Sequence, residues 1–295
     1  MTMKPLLLDP ALQPRLVFTD LDGSLLDHDS FQWQQAKPWL KRLKTLGVPV
    51  IPVTCRTRAE LLPLREQLGL GDTPFIAENG SVVGLPPAWR HAHLERDSYG
   101  SDGSAMRNLG LDIDFIRKRL SVWRERLGGV FRTLGEMTLE EVMALTGVKA
   151  DEARLARMRQ GSEPLLWQSD ASSLAAFREA LQGDGLNLVQ GRRFWHVTGG
   201  LDKGGAVTWL VGRFKSLRGC EPLTLGLGDG PSDQSLLEAV DQAVVIRGSD
   251  VSTLAPCQPA LYRSRSAGPS GWVEGIAYWW GAEGAGAMPK QSLFS

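Results

Sequence analysis

The chain has 295 residues with 33 basic and 33 acidic side chains, so its formal net charge is zero. Hydrophobic residues make up 42% and charged residues 22%, which is typical of globular proteins. This charge balance does not favour nucleic acid or an anionic membrane as a partner, and we expect neither. The three cysteines are far apart and form no CxxC pair, which indicates reduced thiols and argues against a disulfide scaffold.

The amino-terminal stretch "MTMKPLLLDPALQPR" has an apolar patch that Asp9 and Pro10 interrupt. The patch is too short for the apolar region of a signal peptide. No segment of the sequence approaches the ~18 consecutive apolar residues of a membrane helix. We therefore expect a soluble cytoplasmic protein, while the sequence leaves its oligomeric state open.

The first part of the chain alternates between strand and helix patterns. The predicted elements are a strand over 15–19, a helix over 33–46, a β-rich segment over 48–54, a helix over 57–68 and a strand–turn–strand over 74–84. Pro49 and Pro52 weaken the prediction for the second strand, because proline cannot donate a hydrogen bond to a sheet. This alternation predicts a parallel sheet with crossover helices.

The middle of the chain changes character after a stretch rich in Pro, Gly and Ser. Helices are predicted over 111–127, 137–147, 149–160 and 172–181, with a short strand over 186–189. Thr138 and Glu141 form a capping-box pattern, and Gly147 is a helix stop signal.

The β/α alternation returns from about residue 192. The predicted elements are a strand over 192–198, a helix over 203–214, a strand over 222–229, a helix over 232–240 and a strand over 242–248. The sequence thus predicts an α/β core formed by 14–86 and 190–280, an inserted segment over 87–189 and a disordered tail over 281–295.

Polar side chains follow four of the predicted core strands, at the edge where open α/β sheets form their sites. They are Asp20 and Asp22 in "DLDGS", Thr54 in "VTCRT", Asn79 in "ENG", and Asp229 with Asp233 in "GDGPSD". Lys203 begins the helix before the fourth of these strands. We expect folding to bring these groups together.

Carboxylates that converge in this way are ligands suited to Mg²⁺. We expect the metal at Asp20, Asp229, Asp233 and the backbone carbonyl of Asp22. With a cation bound, a phosphate can approach Asp20, which then serves as nucleophile and forms an aspartyl-phosphate. Asp22 is the expected general acid and base. Thr54 and Lys203 would bind the phosphoryl oxygens.

The motifs "DLDGS", Thr54, Lys203 in "DKGG" and "GDGPSD" resemble, in order, the four motifs of the haloacid-dehalogenase superfamily of phosphatases. The resemblance implies a Rossmann-like parallel-sheet core with an inserted α/β cap domain after the third strand. It also implies a Mg²⁺-dependent hydrolase of phosphomonoesters. The sequence departs mildly from the family pattern at Ser24, Cys55 and Ser232.

Two longer stretches, "MTLEEVMALTGVKADEARLARMRQGSEPLL" and "GRRFWHVTGGLDKGGA", resemble the mannosyl-3-phosphoglycerate phosphatases. This implies a small sugar phosphate as substrate, with mannosylglycerate and phosphate as products. Arg192 stands where that pattern has glycine, which is a departure on the cap side of the site. The substrate-binding candidates are Arg56, Asn79, Arg159, Glu163, Arg193 and His196. We expect Arg159 and Glu163 at the end of a helix, and Arg193 and His196 on the strand that re-enters the core.

Other interpretations of these segments remain open. The enzyme could act on another sugar phosphate or be a phosphomutase, and a non-catalytic sugar-phosphate binding protein is a third possibility. "GLGDGP" lacks the G-x-G-x-x-G spacing of a dinucleotide site. His91 and His93 lack further ligands for a metal and are interpreted as loop residues, and "YWW" at 278–280 as helix packing.

Overall fold

The computed structural model of the chain describes residues 13–90, 103–248 and 254–281. The predicted loop residues His91 and His93 and the predicted tail from residue 282 onward lie outside these ranges. The strands are β1 (Arg15–Thr19), β2 (Val50–Pro52), β3 (Phe75–Ala77), β4 (Val82–Leu85), β5 (Ala105–Asn108), β6 (Phe131–Thr133), β7 (Ser162–Trp167), β8 (Leu186–Gln190), β9 (Trp195–Gly199), β10 (Leu223–Gly228), β11 (Gln242–Arg247) and β12 (Leu261–Ala267). The helices are α1 (Lys37–Thr45), α2 (Arg58–Leu68), α3 (Ile113–Arg126), α4 (Leu139–Thr146), α5 (Ala150–Ala156), α6 (Ala171–Gly183), α7 (Lys203–Arg218), α8 (Gln234–Glu238) and α9 (Gly268–Trp280).

The central sheet is parallel and has the strand order β12-β11-β10-β1-β2. A parallel bridge between Val53 and Ile76 brings β3 beside β2. The α/β fold with a parallel sheet is thereby confirmed.

Alternating residues of the central strands pack against helices on both faces of the sheet. Val17 faces a cluster that includes residues of α1, α2 and α9, while Leu16 and Phe18 face residues of α7 and α8. Trp272 and Trp280 of α9 are buried in the first cluster, which agrees with the helix-packing interpretation of the "YWW" segment.

The ends of the crossover helices follow the sequence signals. The side chain of Thr57 accepts a hydrogen bond from the Glu60 amide, and Glu60 bonds back to the Thr57 amide. Gly69 ends the same helix in the left-handed conformation, with φ of 71°. Thr138 and Glu141 form the predicted capping box at α4. Local hydrogen bonds to the free backbone groups at the helix ends therefore fix where these helices begin and end.

The inserted segment forms an antiparallel sheet of its own, with the order β6-β7-β9-β8. We call this sheet with its helices α3 to α6 the cap. One face of the sheet packs Leu165 and Val197 against α3 and α6, and the other packs against α4 and α5. A further small antiparallel sheet, β3-β4-β5, lies between core and cap in the chain.

Two predictions for this region are wrong. The strand near 192–198 was assigned to the returning core, but β9 pairs with β7 and β8 in the cap sheet. The helix over 149–160 ends at Ala156, and Glu163 lies on β7 instead of at the end of a helix. Both errors come from pairings between distant strands, which local periodicity does not reveal. None of the helices in the described ranges has the length and apolar composition needed to cross a membrane.

Candidate active site

Three carboxylates and a lysine meet at the carboxyl edge of the central sheet. Asp20 directly follows β1, and Asp229 directly follows β10, its parallel neighbour. Asp233 ends the short 3-10 helix after β10, and Lys203 is the first residue of α7. Because parallel strands end at one edge of a sheet, Asp20, Lys203 and the Asp229–Asp233 loop become neighbours although they are far apart in sequence.

Lys203 bridges two of the carboxylates. Its Nζ donates to Oδ1 of Asp20 at 2.8 Å and to Oδ1 of Asp233 at 2.6 Å. The lysine is only 2% exposed, so both bonds lie away from water. Asp202 caps α7 by accepting from the Gly205 amide, which fixes the start of the helix and therefore the position of Lys203.

Asp229 and Asp233 are held by the loop after β10 and by the motif after β1. The hydroxyl of Ser24 donates to Oδ1 of Asp229 at 3.0 Å, and the amides of Asp229 and Gly230 both donate to Oδ2 of Asp233 at 3.1 Å. Gly23 has a φ of +95°, and a Cβ there would lie 2.3 Å from Oδ2 of Asp229. The glycine of "DLDG" is therefore required for this close approach.

Burial and crowding shift the acid–base equilibria of the cluster. Burial, together with the charge of Asp233, raises the pKa of Asp20 well above its ordinary value. The same two causes raise the pKa of Asp229 to about 7. Burial alone would lower the pKa of Lys203, but the charges of Asp20 and Asp233 outweigh it and raise that pKa. One ammonium does not balance three carboxylates, so the cluster favours a further cation.

The donor set fits Mg²⁺. One carboxylate oxygen from each of Asp20, Asp229 and Asp233 lies within 4.8 Å of the other two. Such a group of hard oxygen ligands is the kind of site that Mg²⁺ occupies. Among the described residues, this cluster does not include the side chain of Asp22. The predicted ligand role of the Asp22 carbonyl stays a prediction.

The side chain of Asp22 instead forms a bidentate pair with Arg56. Nε of Arg56 donates to Oδ2 at 2.7 Å, and Nη2 donates to Oδ1 at 2.5 Å. Burial alone would lower the pKa of Arg56, but Asp22 outweighs it and raises that pKa. The amide of Arg56 donates to Oγ1 of Thr54, which is fully buried at the end of β2. The sequence named these residues as candidates but did not predict the pair.

Asn79 lies beside Thr54, and no described residue forms a hydrogen bond with its side chain. Its amide donates to the Thr54 carbonyl at 2.9 Å, and its backbone is left-handed, with φ of 57°. The side chain is 2% exposed, and within the described residues neither Nδ2 nor Oδ1 has a partner. A buried carboxamide without partners is costly, which makes Asn79 a strong candidate for contact with a ligand.

Two of the predicted cap residues face the core. Arg159 donates from Nη1 to the Cys55 carbonyl at 2.7 Å, across the boundary between cap and core. His196 is buried, and burial together with the charges of Arg159 and Lys203 lowers its pKa to about 3. In the described part of the chain Nδ1 of this histidine has no partner. Arg159 therefore contacts the loop that carries Thr54, the charge of Lys203 acts on His196, and the substrate roles of both residues stay predictions.

The contacts of Glu163 and Arg193 do not point to a substrate. Glu163 is fully buried and accepts from Nε of Arg117 and from the Gly135 amide, both at 2.7 Å. Arg193 was placed on the strand that re-enters the core, but it is an exposed residue before β9 and bonds to the Thr146 carbonyl. Arg192 beside it pairs with Asp29 of the core. Sequence spacing could not show these partners.

No pattern in the sequence indicated one group that supports Asp20. Nε1 of Trp272, in α9, donates to Oγ1 of Thr19 at 3.0 Å, and that hydroxyl donates to the Asp20 carbonyl at 2.7 Å. Cys55, which stands where the family pattern has serine, is half-buried, and desolvation together with the charge of Asp22 raises the pKa of its thiol to about 12. The thiol is therefore neutral and is not a nucleophile.

The comparisons with known proteins agree with this geometry. A family model described as haloacid dehalogenase-like hydrolase matches residues 17–95, which include the "DLDGS", "VTCRT" and "ENG" motifs. A haloacid dehalogenase-like hydrolase from B. subtilis is 17% identical, with a TM-score of 0.62, and the match covers 90% of this chain and 98% of that chain. A haloacid dehalogenase-like hydrolase from Bacteroides thetaiotaomicron is 14% identical, with a TM-score of 0.62 and the same coverage.

A sucrose-phosphatase from Synechocystis, solved with sucrose and phosphate, is also similar to this chain. It is 15% identical, with a TM-score of 0.61, and the match covers 91% of this chain and 98% of that chain. At these identities the likeness concerns the fold. The chain thus has the fold of haloacid dehalogenase-like hydrolases, in the cap as well as in the core, and its first motifs match their family model.

Proposed function

We propose that this chain, with the fold and first motifs of haloacid dehalogenase-like hydrolases, is a cytoplasmic Mg²⁺-dependent phosphomonoester hydrolase. The observation that carries the proposal is the group of Asp20, Asp229 and Asp233 within 4.8 Å, with Lys203 bonded to two of them. A nucleophile, cation ligands and a fixed positive charge then lie at one edge of the sheet. Phosphoryl transfer needs these three elements.

Asp20 is the nucleophile in this mechanism. An oxygen of its carboxylate forms a bond to phosphorus, and the bond from phosphorus to the leaving oxygen breaks. Bound Mg²⁺ would be held by Asp20, Asp229 and Asp233, and it supplies the positive charge that lets a phosphate approach a carboxylate. Lys203 stabilises the charge on the phosphoryl oxygens, and Thr54 is the proposed second group that binds them.

Asp22 is the general acid and base of this mechanism. In its protonated form Asp22 donates a proton to the leaving oxygen. The resulting carboxylate then accepts a proton from the water that hydrolyses the aspartyl-phosphate, which restores both Asp20 and protonated Asp22. Arg56 occupies both oxygens of Asp22 in the present structure. Proton transfer therefore requires Arg56 to release one of them when substrate enters. Arg56 would then be free to donate to the substrate.

The substrate that we propose is mannosyl-3-phosphoglycerate, hydrolysed to mannosylglycerate and phosphate. Support comes from the resemblance of the segments over 137–166 and 191–206. Asn79 and His196 are the strongest candidates for contact with the leaving group, because each is buried with a polar atom that has no partner among the described residues. A carboxamide and a neutral imidazole can both bond to hydroxyl groups.

A phosphatase for another sugar phosphate is the second candidate. The internal partners of Glu163 and Arg193 favour it, because these two residues were expected to bind the mannosyl-glycerate group. The structural likeness to a sucrose-phosphatase points in the same direction.

Phosphate release from a panel of esters tests the proposal. The panel is mannosyl-3-phosphoglycerate, a sucrose phosphate, hexose 1- and 6-phosphates and p-nitrophenyl phosphate. We expect activity that EDTA stops and Mg²⁺ restores, highest with mannosyl-3-phosphoglycerate. Interconversion of the hexose phosphates without phosphate release would identify a mutase. Tight binding without turnover of any ester would identify a binding protein, and full activity after exhaustive chelation would exclude the metal.

A further inference from the structure

Glu78 is a fully buried acidic residue that the mechanism does not use. It lies at the end of β3, directly before Asn79. Both residues have left-handed backbones, with φ of 51° and 57°. This conformation is unfavourable for residues other than glycine, and it persists only where surrounding contacts hold it.

The carboxylate of Glu78 accepts hydrogen bonds from three successive residues of the cap. Oε1 accepts from the Gln160 amide at 2.9 Å, and Oε2 accepts from the Gly161 amide at 3.0 Å and from the Ser162 hydroxyl at 2.8 Å. These donors lie between α5 and β7, where the cap chain passes the core. Three hydrogen bonds to one buried carboxylate form a strong connection between the two parts.

The backbone of the same turn is bonded to the core loop 54–57. The Glu78 amide donates to the Arg56 carbonyl at 3.0 Å, and the Asn79 amide donates to the Thr54 carbonyl at 2.9 Å. In this loop the Arg56 amide donates to the Thr54 hydroxyl, and the Arg56 side chain donates to Asp22. One turn of chain therefore contacts the cap through a side chain and the active-site loop through its backbone.

The cap also contacts this loop directly. Arg159 donates to the Cys55 carbonyl at 2.7 Å, and the Thr57 hydroxyl donates to the Leu155 carbonyl at 2.9 Å. The loop 54–57 is thus connected to the cap in two ways. One connection runs through the Glu78 turn, and the other consists of the direct bonds of Cys55 and Thr57. Displacement of the cap segment 155–162 would change the surroundings of Arg56 and Thr54 together.

We propose that Glu78 is a positioning residue that couples the docking of the cap to the geometry of loop 54–57. Its carboxylate holds the cap segment, and its strained backbone holds the loop in the position that Arg56 needs to reach Asp22. The coupling stands on the contacts above, while its effect on turnover rests on the proposed function. Cap docking then affects the chemistry even of substrates too small to touch the cap.

Amide hydrogen exchange tests the coupling without any substrate. Glu78→Gln keeps the size of the side chain but replaces one acceptor oxygen with a donor that faces a donor. We expect the amides of Glu78, Asn79 and Arg56 to exchange about tenfold faster, together with those of Gln160 and Gly161. Ser162→Ala removes one of the three bonds and should give a smaller change in the same amides.

Glu136→Gln is the control, at an exposed glutamate that also pairs with Arg124 inside the cap. Glu136 accepts from the amide and the hydroxyl of Thr133, in a turn that lies inside the cap. Its substitution should change exchange near Thr133 and leave the loop 54–57 as in the wild type. If Glu78→Gln speeds exchange at Gln160 and Gly161 but not at Arg56 and Asn79, the coupling does not exist.

Kinetics with p-nitrophenyl phosphate give the second test. We expect Glu78→Gln to lower kcat about 10- to 100-fold with KM unchanged, because a misplaced loop affects the reacting geometry more than binding. Glu136→Gln should leave both constants unchanged. A loss confined to KM for mannosyl-3-phosphoglycerate would overturn the proposal, since Glu78 would then serve substrate recognition. If the wild type hydrolyses no ester, the proposed function fails, and the exchange result alone decides the coupling.

Discussion

The active-site edge of the central sheet and the cap sheet both bury charged side chains, but they satisfy them differently. At the edge, Lys203 is shared between Asp20 and Asp233, and Asp229 has a raised pKa. In the cap, Glu163 is matched by its own arginine, Arg117. The first arrangement is an incomplete set of partners that a cation and a phosphate would complete, and the second is complete within the protein.

This difference separates two uses of buried charge. A group whose environment opposes its charge is a candidate for ligand chemistry, and a group with a full set of internal partners is a candidate for structure. Asn79 belongs with the first kind, because neither side-chain polar atom has a partner within the described ranges. Asp184, which accepts from Arg119 and Trp123 in the cap, belongs with the second. The following variants test that division, from the largest expected effect to the smallest.

Asp20→Asn should abolish multiple turnover, with a loss on the order of 10⁴-fold or more, as for other nucleophiles. The amide keeps the shape but has no charge with which to attack phosphorus. Phosphate release measured over many turnovers checks this, with circular dichroism to confirm the fold. Measurable multiple turnover in a preparation free of wild-type enzyme would exclude the covalent mechanism.

Asp22→Asn should lower kcat about 10²- to 10⁴-fold with an alkyl phosphate, because proton transfer to the leaving oxygen is lost. The loss should be smaller with p-nitrophenyl phosphate, whose leaving group needs no proton. The ratio of the two losses is the measurement. If p-nitrophenyl phosphate suffers as severely as the alkyl ester, Asp22 is not the acid that protonates the leaving group.

Arg117→Ala should destabilise the protein by about 3–5 kcal/mol, since it leaves the buried Glu163 carboxylate without its cation. Glu163→Gln should cost only about 1–2 kcal/mol, because Arg117 is 39% exposed and can reach water. Urea unfolding of the two variants measures the difference between their losses in unfolding free energy.

The same Glu163 variant tests the substrate role predicted from the sequence. If Glu163 serves structure, Glu163→Gln should change kcat/KM equally for mannosyl-3-phosphoglycerate and p-nitrophenyl phosphate. A loss confined to the sugar substrate would restore Glu163 as a substrate ligand.

At pH 5, protonation of His196 in the unfolded chain should destabilise the folded protein by about 2 kcal/mol. His196→Gln should remove this loss of stability. The folded pKa of about 3 lies below the ordinary value of 6.5, so the fold favours the neutral imidazole. Its contribution to stability is complete above pH 6.5 and is lost as pH falls from 6.5 towards 3. The difference in unfolding free energy between variant and wild type, followed from pH 8 to pH 5, isolates this group. Parallel curves would show that His196 is not held neutral.

The sequence predicted the core better than the cap for a physical reason. The positions of Asp20, Thr54 and Asp229 follow from strand ends, and a parallel sheet brings strand ends together whatever the details of packing. In the cap, β7 contains Glu163 and Pro164, and β6 has three residues, so neither gives a clear strand pattern. The partners of Glu163 and of Asp22 depend on tertiary contacts that no local pattern encodes.

The two prolines of the predicted strand over 48–54 weaken the strand pattern but do not prevent a strand from forming. Pro52 ends β2, and Pro49 lies just before it and accepts a hydrogen bond from the Val17 amide through its carbonyl. Proline loses only its donor, so both residues remain compatible with the sheet. The predicted strand therefore exists, though it is shorter than the β-rich segment.

The pairing of β1 with β10 has a consequence for the order of folding. These neighbours at the centre of the sheet join Arg15–Thr19 to Leu223–Gly228, while every strand of the cap sheet lies between them in the chain. Closing so long a loop is slow in comparison with forming local hairpins. We expect the amides of β8 and β9 to become protected before those of β1 and β10 when the denatured chain refolds. Pulse-labelling exchange would show this, and the catalytic cluster would then be among the last parts of the molecule to form.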